Sequence, residues 1–334
     1  MTVKNLAAPR SNLFRNLTRF REFGIVIFIL ILALVVSLRA PVFFTLGNFR
    51  DILLDISILV IVALAQTMVI LTHGIDLSVG SVIGLVAMMV AFTIKSNPGI
   101  NLVLVVLLGM LLGAILGSFN GLIIAIGKVP PIIATLGTLS IYRGMIFLYS
   151  QGYWVPPFQL PDAFKLLAKG TPFLGIPNII IFAIVVALLV YYFFNYTRTG
   201  RDIYAVGSNP DAAQYVGIRK QQVIFLVYVL TGVAAGLAGV LWASRFESSQ
   251  TNTALGFELQ TVAASIIGGV SISGGVGTVP GVLLGALALG MINNAVTLVR
   301  ISPFWEQAAQ GLLILVAVVS DILITRRVQR NKSK

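Results

Sequence analysis

Apolar runs of about 20 residues recur from one end of this chain to the other, and that length is what a helix needs to cross the hydrocarbon core of a bilayer. Only 10% of the residues are charged, against roughly a quarter in a soluble domain, so the chain cannot dress a water-facing surface. Inside lipid every backbone N–H and C=O must find its partner within the protein, and runs of this length satisfy that as helices. The short alternating segments of a transmembrane barrel are not present. The expected fold is therefore all-α: a polytopic integral membrane bundle of about ten transmembrane helices.

The spans read as Glu22–Leu38, Leu53–Leu71, Val79–Ile94, Leu102–Ile126, Ile132–Tyr149, Pro177–Phe194, Val223–Ala243, Phe257–Ile267, Val279–Val299 and Phe304–Ile324. They divide the chain into a basic tail (1–21), a membrane domain (22–325) interrupted by a polar loop (198–222), and a second basic tail (326–334). The first span follows a basic segment, as in a signal peptide. Arg39-Ala40-Pro41-Val42-Phe43 makes a poor cleavage site, so the span is read as retained. Gln151–Gly175 contains Pro156, Pro157, Pro161 and Pro172 and is expected to hold a short surface helix at Pro161–Leu167, while Arg245–Thr253 reads as a polar outer loop.

Ten spans put both termini on one side. Fifteen of the 23 Lys/Arg fall on that side, seven on the other, and Arg143 lies inside a span. The excess places both termini in the cytoplasm, and the net charge of +12 reflects topology rather than a nucleic-acid surface. Trp154, Trp242 and Trp305 fall near the outer ends of segments, as an aromatic belt does. With no cysteine and a single histidine, disulfide, thiolate and iron–sulfur chemistry are excluded and no metal site is expected. Gly121 to Gly127 followed by Lys128 misses the phosphate-binding loop by one residue and lacks its Ser/Thr. Gly275–Gly281 fails the dinucleotide fingerprint at its third glycine. No cofactor is expected on this chain; ATP, if used, is bound with magnesium by another polypeptide.

Four local features carry functional content. Gly74, Asp76, Ser78 and Gly80 lie in a stretch, His73–Ser81, that sets a carboxylate between two apolar runs, a costly placement. They read as a hinge at the inner end of the second span, where Asp76 can be wet or can cap the third. Gly268, Gly269, Gly274 and Gly275 form a second break on the same side. Gln66, Asn120, Thr138, Asn293 and Asn294, with Thr67, Arg143, Glu306 and Gln310, are polar groups inside or beside spans. Such groups either line a path for a neutral polyhydroxy solute or bond helix to helix. Finally, Asn209 can cap a short helix that begins at Pro210, with Asp211 in its first turn and Gly217 after its end. That helix is either an ordinary loop helix or one that transmits motion from a partner. Glycines spaced by four at 109, 113, 117 and 121, at 232 and 236, and at 281 and 285 predict close helix packing within the subunit.

Gly74-Ile75-Asp76-Leu77-Ser78-Val79-Gly80-Ser81, Gly207-Ser208-Asn209-Pro210-Asp211-Ala212-Ala213 with Gly217-Ile218, Gly268-Gly269-Val270-Ser271-Ile272-Ser273-Gly274-Gly275 and Ser302-Pro303-Phe304-Trp305 together resemble the permease subunits of ribose-type ABC importers. The resemblance runs from the second span to the tenth. It implies a bacterial cytoplasmic-membrane core of two permeases, identical or paralogous, with two cassette ATPases docked on the cytoplasmic side and an extracytoplasmic solute-binding protein on the other. It further implies that Asn209–Ile218 couples to the ATPase, with Gly207, Ser208, Asn209, Asp211, Ala212, Ala213 and Gly217 as its residues. Relatives carry ribose, xylose, arabinose, galactose, rhamnose or autoinducer-2, and a branched-chain amino acid is a further alternative cargo. Two rival classes stay open: an ion-coupled carrier using Asp76, Arg143 or Glu306, and a membrane enzyme built on His73 and Asp76.

Overall fold

The computed structural model describes the backbone of residues 10–299, side chains from Glu22 onward, and positions 305, 308, 311, 312, 315 and 319. Its helices are α1 (Arg10–Arg39), α2 (Leu46–Leu71), α3 (Val79–Ser96), α4 (Leu102–Ala125), α5 (Pro131–Ser150), α6 (Asp162–Lys169), α7 (Asn178–Tyr196), α8 (Arg198–Ser208), α9 (Pro210–Tyr215), α10 (Lys220–Arg245), α11 (Phe257–Ile267) and α12 (Val279–Leu298). Eight of these are long and apolar enough to cross a membrane, and the chain is a multi-pass membrane protein. The sequence supplies their start signals. Thr45, Asn101 and Thr278 accept from Asn48 N, Val103 N and Gly281 N at 3.3, 2.8 and 3.1 Å, and α5 opens on proline, whose missing N–H leaves nothing unsatisfied there.

Of the ten expected spans the first, second and eighth differ, the second by starting at Leu46 rather than Leu53, and one lies outside the described residues. The first helix starts at Arg10, so helical backbone reaches back into the segment read as a tail. The eighth, α11, has 11 residues and spans about 16 Å, half of what a crossing needs. The tenth, Phe304–Ile324, lies outside the described residues apart from isolated positions.

The bundle is built around α2, buried along nearly all of its length from Ile56 to Leu71. Helix α12 runs antiparallel to it, and at one end Asn48 and Asn294 exchange amide hydrogen bonds of 3.1 and 2.8 Å. Helices α4 and α10 also run antiparallel, glycine against glycine. A Cβ on Gly113 would meet the Gly232 carbonyl and lie 2.8 Å from Gly236 Cα, and one on Gly117 would lie 2.9 Å from Gly232 Cα. The small residues let two backbones touch, which is the packing within the subunit that their spacing predicts. Gly281 and Gly285 similarly admit Gly268 and Ala264. Outward faces of α1, α4 and α7 present Leu30, Leu34, Leu107, Leu111, Leu188 and Leu189, the aliphatic surface that hydrocarbon requires.

Both ends of the bundle can be followed through these contacts. The carboxyl end of α2, the α8–α9 unit and the α11–α12 connector share one end. At the opposite end Ser244, near the close of α10, bonds the Phe164 carbonyl of α6 at 2.6 Å and accepts from Ala168 N at 3.0 Å. The expected surface helix there is α6, one residue later at its start and two at its end than the sequence predicts.

Candidate functional site

Helix α2 ends in a left-handed turn. His73 has φ +65°, and Gly74 N donates back to the Val69 carbonyl at 2.9 Å, the six-to-one bond of a Schellman cap. The chain then turns inward, and Asp76 is buried rather than wet. Its Oδ1 accepts from Ser78 N at 2.8 Å and from Ser78 Oγ at 2.7 Å, and Asn120 Nδ2 on α4 donates to that same Ser78 Oγ at 2.8 Å. Of the two alternatives for Asp76, the wet one is corrected here. Asp76 is removed from water because α4 and α10 close over it, and Ser78 does not cap α3 with its side chain because its hydroxyl is spent on Asp76. Ser81 Oγ bonds the Ser78 carbonyl at 2.7 Å instead of a free amide. No hydrogen bond joins His73 to Asp76 among the described residues, so the enzyme reading finds no assembled pair.

The α11–α12 connector folds against this turn. Gly269, Gly274 and Gly275 have φ of +85°, +73° and +69°. Gly275 N donates to the Leu71 carbonyl at 3.0 Å, and a Cβ on Gly274 would lie 2.7 Å from the His73 ring. Gly207, at the end of α8, is wedged between the same Leu71 carbonyl and Gly275 N, where any Cβ would collide. Tyr204 adds a hydrogen bond to the Gly277 carbonyl at 2.8 Å. Burial pushes its hydroxyl up to about 12, so it stays a donor. Gly74, Gly207, Gly274 and Gly275, which lie far apart in the sequence, thus form one cluster at one end of the bundle.

Helix α9 projects from that cluster. Asn209 Oδ1 accepts from Ala212 N at 2.9 Å, Pro210 occupies the first turn, and Gly217 takes φ +85° after the helix. Ser208, Asn209, Asp211, Ala212, Tyr215 and Val216 are exposed, whereas Ala213 is buried against the subunit.

The expected polar-path residues do not form one passage. Asn120 serves Ser78, Thr138 Oγ1 bonds the Thr135 carbonyl in its own helix at 3.3 Å, and Asn294 is engaged by Asn48. Asn293 is half-buried and its carbonyl accepts from Thr297. Gln66 is wholly buried with neither amide atom hydrogen-bonded. Glu306 and Gln310 lie outside the described residues.

A second polar region escaped sequence reasoning. The Arg245–Thr253 segment is not a simple outer loop, because Ser249 and Thr253 are buried and the chain dips back into the bundle before α11 begins. Such non-helical backbone is tolerated at membrane depth only when it is enclosed by protein. Val155 and Ser249, both buried, pair their backbones at 3.0 and 3.1 Å, and Arg143 Nη1 of α5 donates to the Thr253 carbonyl at 2.6 Å. Glu258, in the first turn of α11, lies beside it. Beneath this segment α3 is bare: a Cβ on Gly80 would collide with Glu258, and one on Gly84 would lie 2.9 Å from the Thr253 carbonyl. Arg245 bonds Asp55 and the Leu54 carbonyl at the mouth of a cavity of about 310 Å³ lined by Trp242, Phe246, Asn252, Phe257 and Gln260. Among the described residues no three His, Asp or Glu gather to hold a metal ion.

Comparison with known proteins places this arrangement. The family model described as branched-chain amino acid transport system/permease component matches residues 48–318. The chain is 37% identical over 301 residues to the ribose import permease protein RbsC of Bacillus subtilis, covering 90% of this chain and 92% of that protein. It is 36% identical over 321 residues to the galactose/methyl galactoside import permease protein MglC of Escherichia coli, covering 92% and 96%. It is 38% identical over 274 residues to the autoinducer 2 import system permease protein LsrC of Salmonella paratyphi B, covering 82% and 78%. No solved structure matches. With a family model over most of its length and relatives above one-third identity across most of theirs, the chain belongs to this family of import permeases.

Proposed function

We propose that the chain is the permease subunit of an ATP-driven importer for a monosaccharide or a similar hydroxyl-rich solute. In this reading it sits in a bacterial cytoplasmic membrane with both termini inside. Two copies, or this chain and a paralogue, form the channel. Two cassette ATPases bind ATP and magnesium and dock on α9, and an extracytoplasmic protein delivers the solute to the opposite face. The chain itself makes and breaks no covalent bond.

One observation carries the mechanism. Gly207 locks the base of the α8–α9 unit onto the end of α2 and onto the α11–α12 connector. A push on α9 therefore reaches α2 and α11 through backbone contacts that cannot slip, because there are no side chains between them to repack. Ser208, Asn209, Asp211 and Ala212 offer the exposed docking surface. Gly74, Gly80, Gly268, Gly269, Gly274 and Gly275 form the inner hinge through which that push becomes a change of access, and Asp76 with Ser78 is the rigid joint that holds it in shape.

The test is reconstitution of the permease with its ATPase and binding protein in proteoliposomes, followed by uptake of radiolabelled ribose and galactose. Uptake that requires ATP and the binding protein is the expected result. Uptake by the permease alone, or uptake abolished by proton or sodium ionophores at constant ATP, overturns it in favour of an ion-coupled carrier.

A further inference from the structure

Helix α5 is the least apolar of the eight long helices, yet it is about as open as α7, whose outward face is aliphatic. Its open face sets Gly137, Ser140 and Gly144 among Ile133, Leu136, Ile141 and Leu148, so it too is largely aliphatic. Arg143 stands beside that face, twelve residues past the start of a 20-residue helix, and so about 18 Å along a rod about 30 Å long. A guanidinium at that depth does not face hydrocarbon without large cost. Arg143 turns inward instead, to the Thr253 carbonyl, away from that aliphatic face.

Around the Arg143 guanidinium lies a set of buried hydrogen-bonding atoms without partners. Arg143 uses Nη1 on the Thr253 carbonyl, while its Nε and Nη2 are buried and without a partner. Glu258, only 9% exposed, has Oε2 buried and without a partner. The two groups sense each other's charge, but no ion pair joins them. Buried polar atoms are almost always satisfied, and leaving a charged one unmet is expensive. Bare α3 backbone at Gly80 and Gly84 holds the pair in place, since a side chain at either position would displace Glu258 or Arg143. A fork of N–H donors beside a carboxylate acceptor is the donor–acceptor set that neighbouring hydroxyls of a sugar satisfy together.

We infer that Arg143 and Glu258 form a transient mid-depth binding site for the hydroxyl groups of the transported sugar. This rests on the proposed import function and names residues within it. Sugar leaving the delivery protein exchanges hydroxyl–water bonds for bonds to Arg143 Nε and Nη2 and Glu258 Oε2. It then moves on because the site offers few contacts and no aromatic clamp of its own.

The experiment uses the assembled importer in proteoliposomes and measures radiolabelled ribose uptake and ATP hydrolysis in the same vesicles. Glu258→Gln keeps the shape and removes the charged acceptor; Arg143→Lys keeps the charge and removes the fork. Each is expected to lower ribose moved per ATP hydrolysed by about ten-fold or more, the loss that follows from one charge-assisted hydrogen bond. ATP hydrolysis stimulated by loaded binding protein and the melting temperature of the complex are expected to stay at parental values. Parental ribose-to-ATP ratios in both variants overturn the inference, as does a joint fall of uptake, hydrolysis and melting temperature in both, which marks a structural pair. If the parental assembly imports neither ribose nor galactose, the proposed function fails and the inference falls with it.

Discussion

Two segments interrupt the helices of this bundle, and they treat their polar groups in opposite ways. In residues 72–78, between α2 and α3, the buried Asp76 carboxylate takes two hydrogen bonds from Ser78, Asn120 completes the group, and the α2 end is capped through Val69. Around residues 246–256, between α10 and α11, Arg143 of α5 and Glu258 of α11 keep three buried atoms without partners beside one filled bond to Thr253. In the first segment the charged group has its partners, with Asn120 Oδ1 and the Tyr228 hydroxyl left over, and the segment reads as a rigid joint. The second is incomplete in the absence of something else that hydrogen-bonds. Closed networks specify a fold, and unfinished ones at membrane depth are where a polar solute finds partners.

The comparison breaks if disturbing the first segment costs little stability. The largest effect is expected for Gly207→Val, which drives a branched side chain into the Leu71 carbonyl and Gly275 N with no flexible neighbour to yield. About 3 kcal/mol is expected, the upper range for overpacking, seen as loss of assembled complex on size-exclusion chromatography. Asp76→Ala leaves Ser78 N and its hydroxyl without their acceptor and is expected to cost about 2 kcal/mol, read as a lower melting temperature with any residual uptake keeping its parental ratio to ATP hydrolysis. Thr278→Val removes the cap on Gly281 N and a 2.6 Å hydrogen bond to Glu22, worth about 1 kcal/mol in the same melt. Smallest in stability is Ala212→Trp on the exposed face of α9. It is expected to leave melting unchanged while cutting substrate-stimulated ATP hydrolysis, and normal hydrolysis in that variant removes α9 from the docking surface.

Much of the fold was legible because lipid leaves few choices. Apolar runs become helices at nearly the expected bounds, Asn209-Pro210 caps and starts α9, and glycines spaced by four bring α4 against α10. What escaped the sequence depends on tertiary enclosure. Asp76 reads as either wet or capping the third span until Asn120 of α4 and Tyr228 of α10 are seen against its turn. Arg245–Thr253 reads as an outer loop because it is polar, and nothing local says that the Thr253 carbonyl ends beside Arg143, 110 positions earlier. Ala212 and Ala213 read alike, yet one is exposed and the other is buried beneath α9. For the single histidine a capping or hinge role outweighs a chemical one in the sequence, and His73 is the left-handed end of α2.

The most direct test sets the two segments side by side in one assembled importer, recording melting temperature and ribose moved per ATP hydrolysed for Asp76→Ala and Glu258→Gln. The account predicts a crossed pattern, in which Asp76→Ala lowers melting and preserves the ratio while Glu258→Gln preserves melting and lowers the ratio. The same response from both variants, in either quantity, contradicts it.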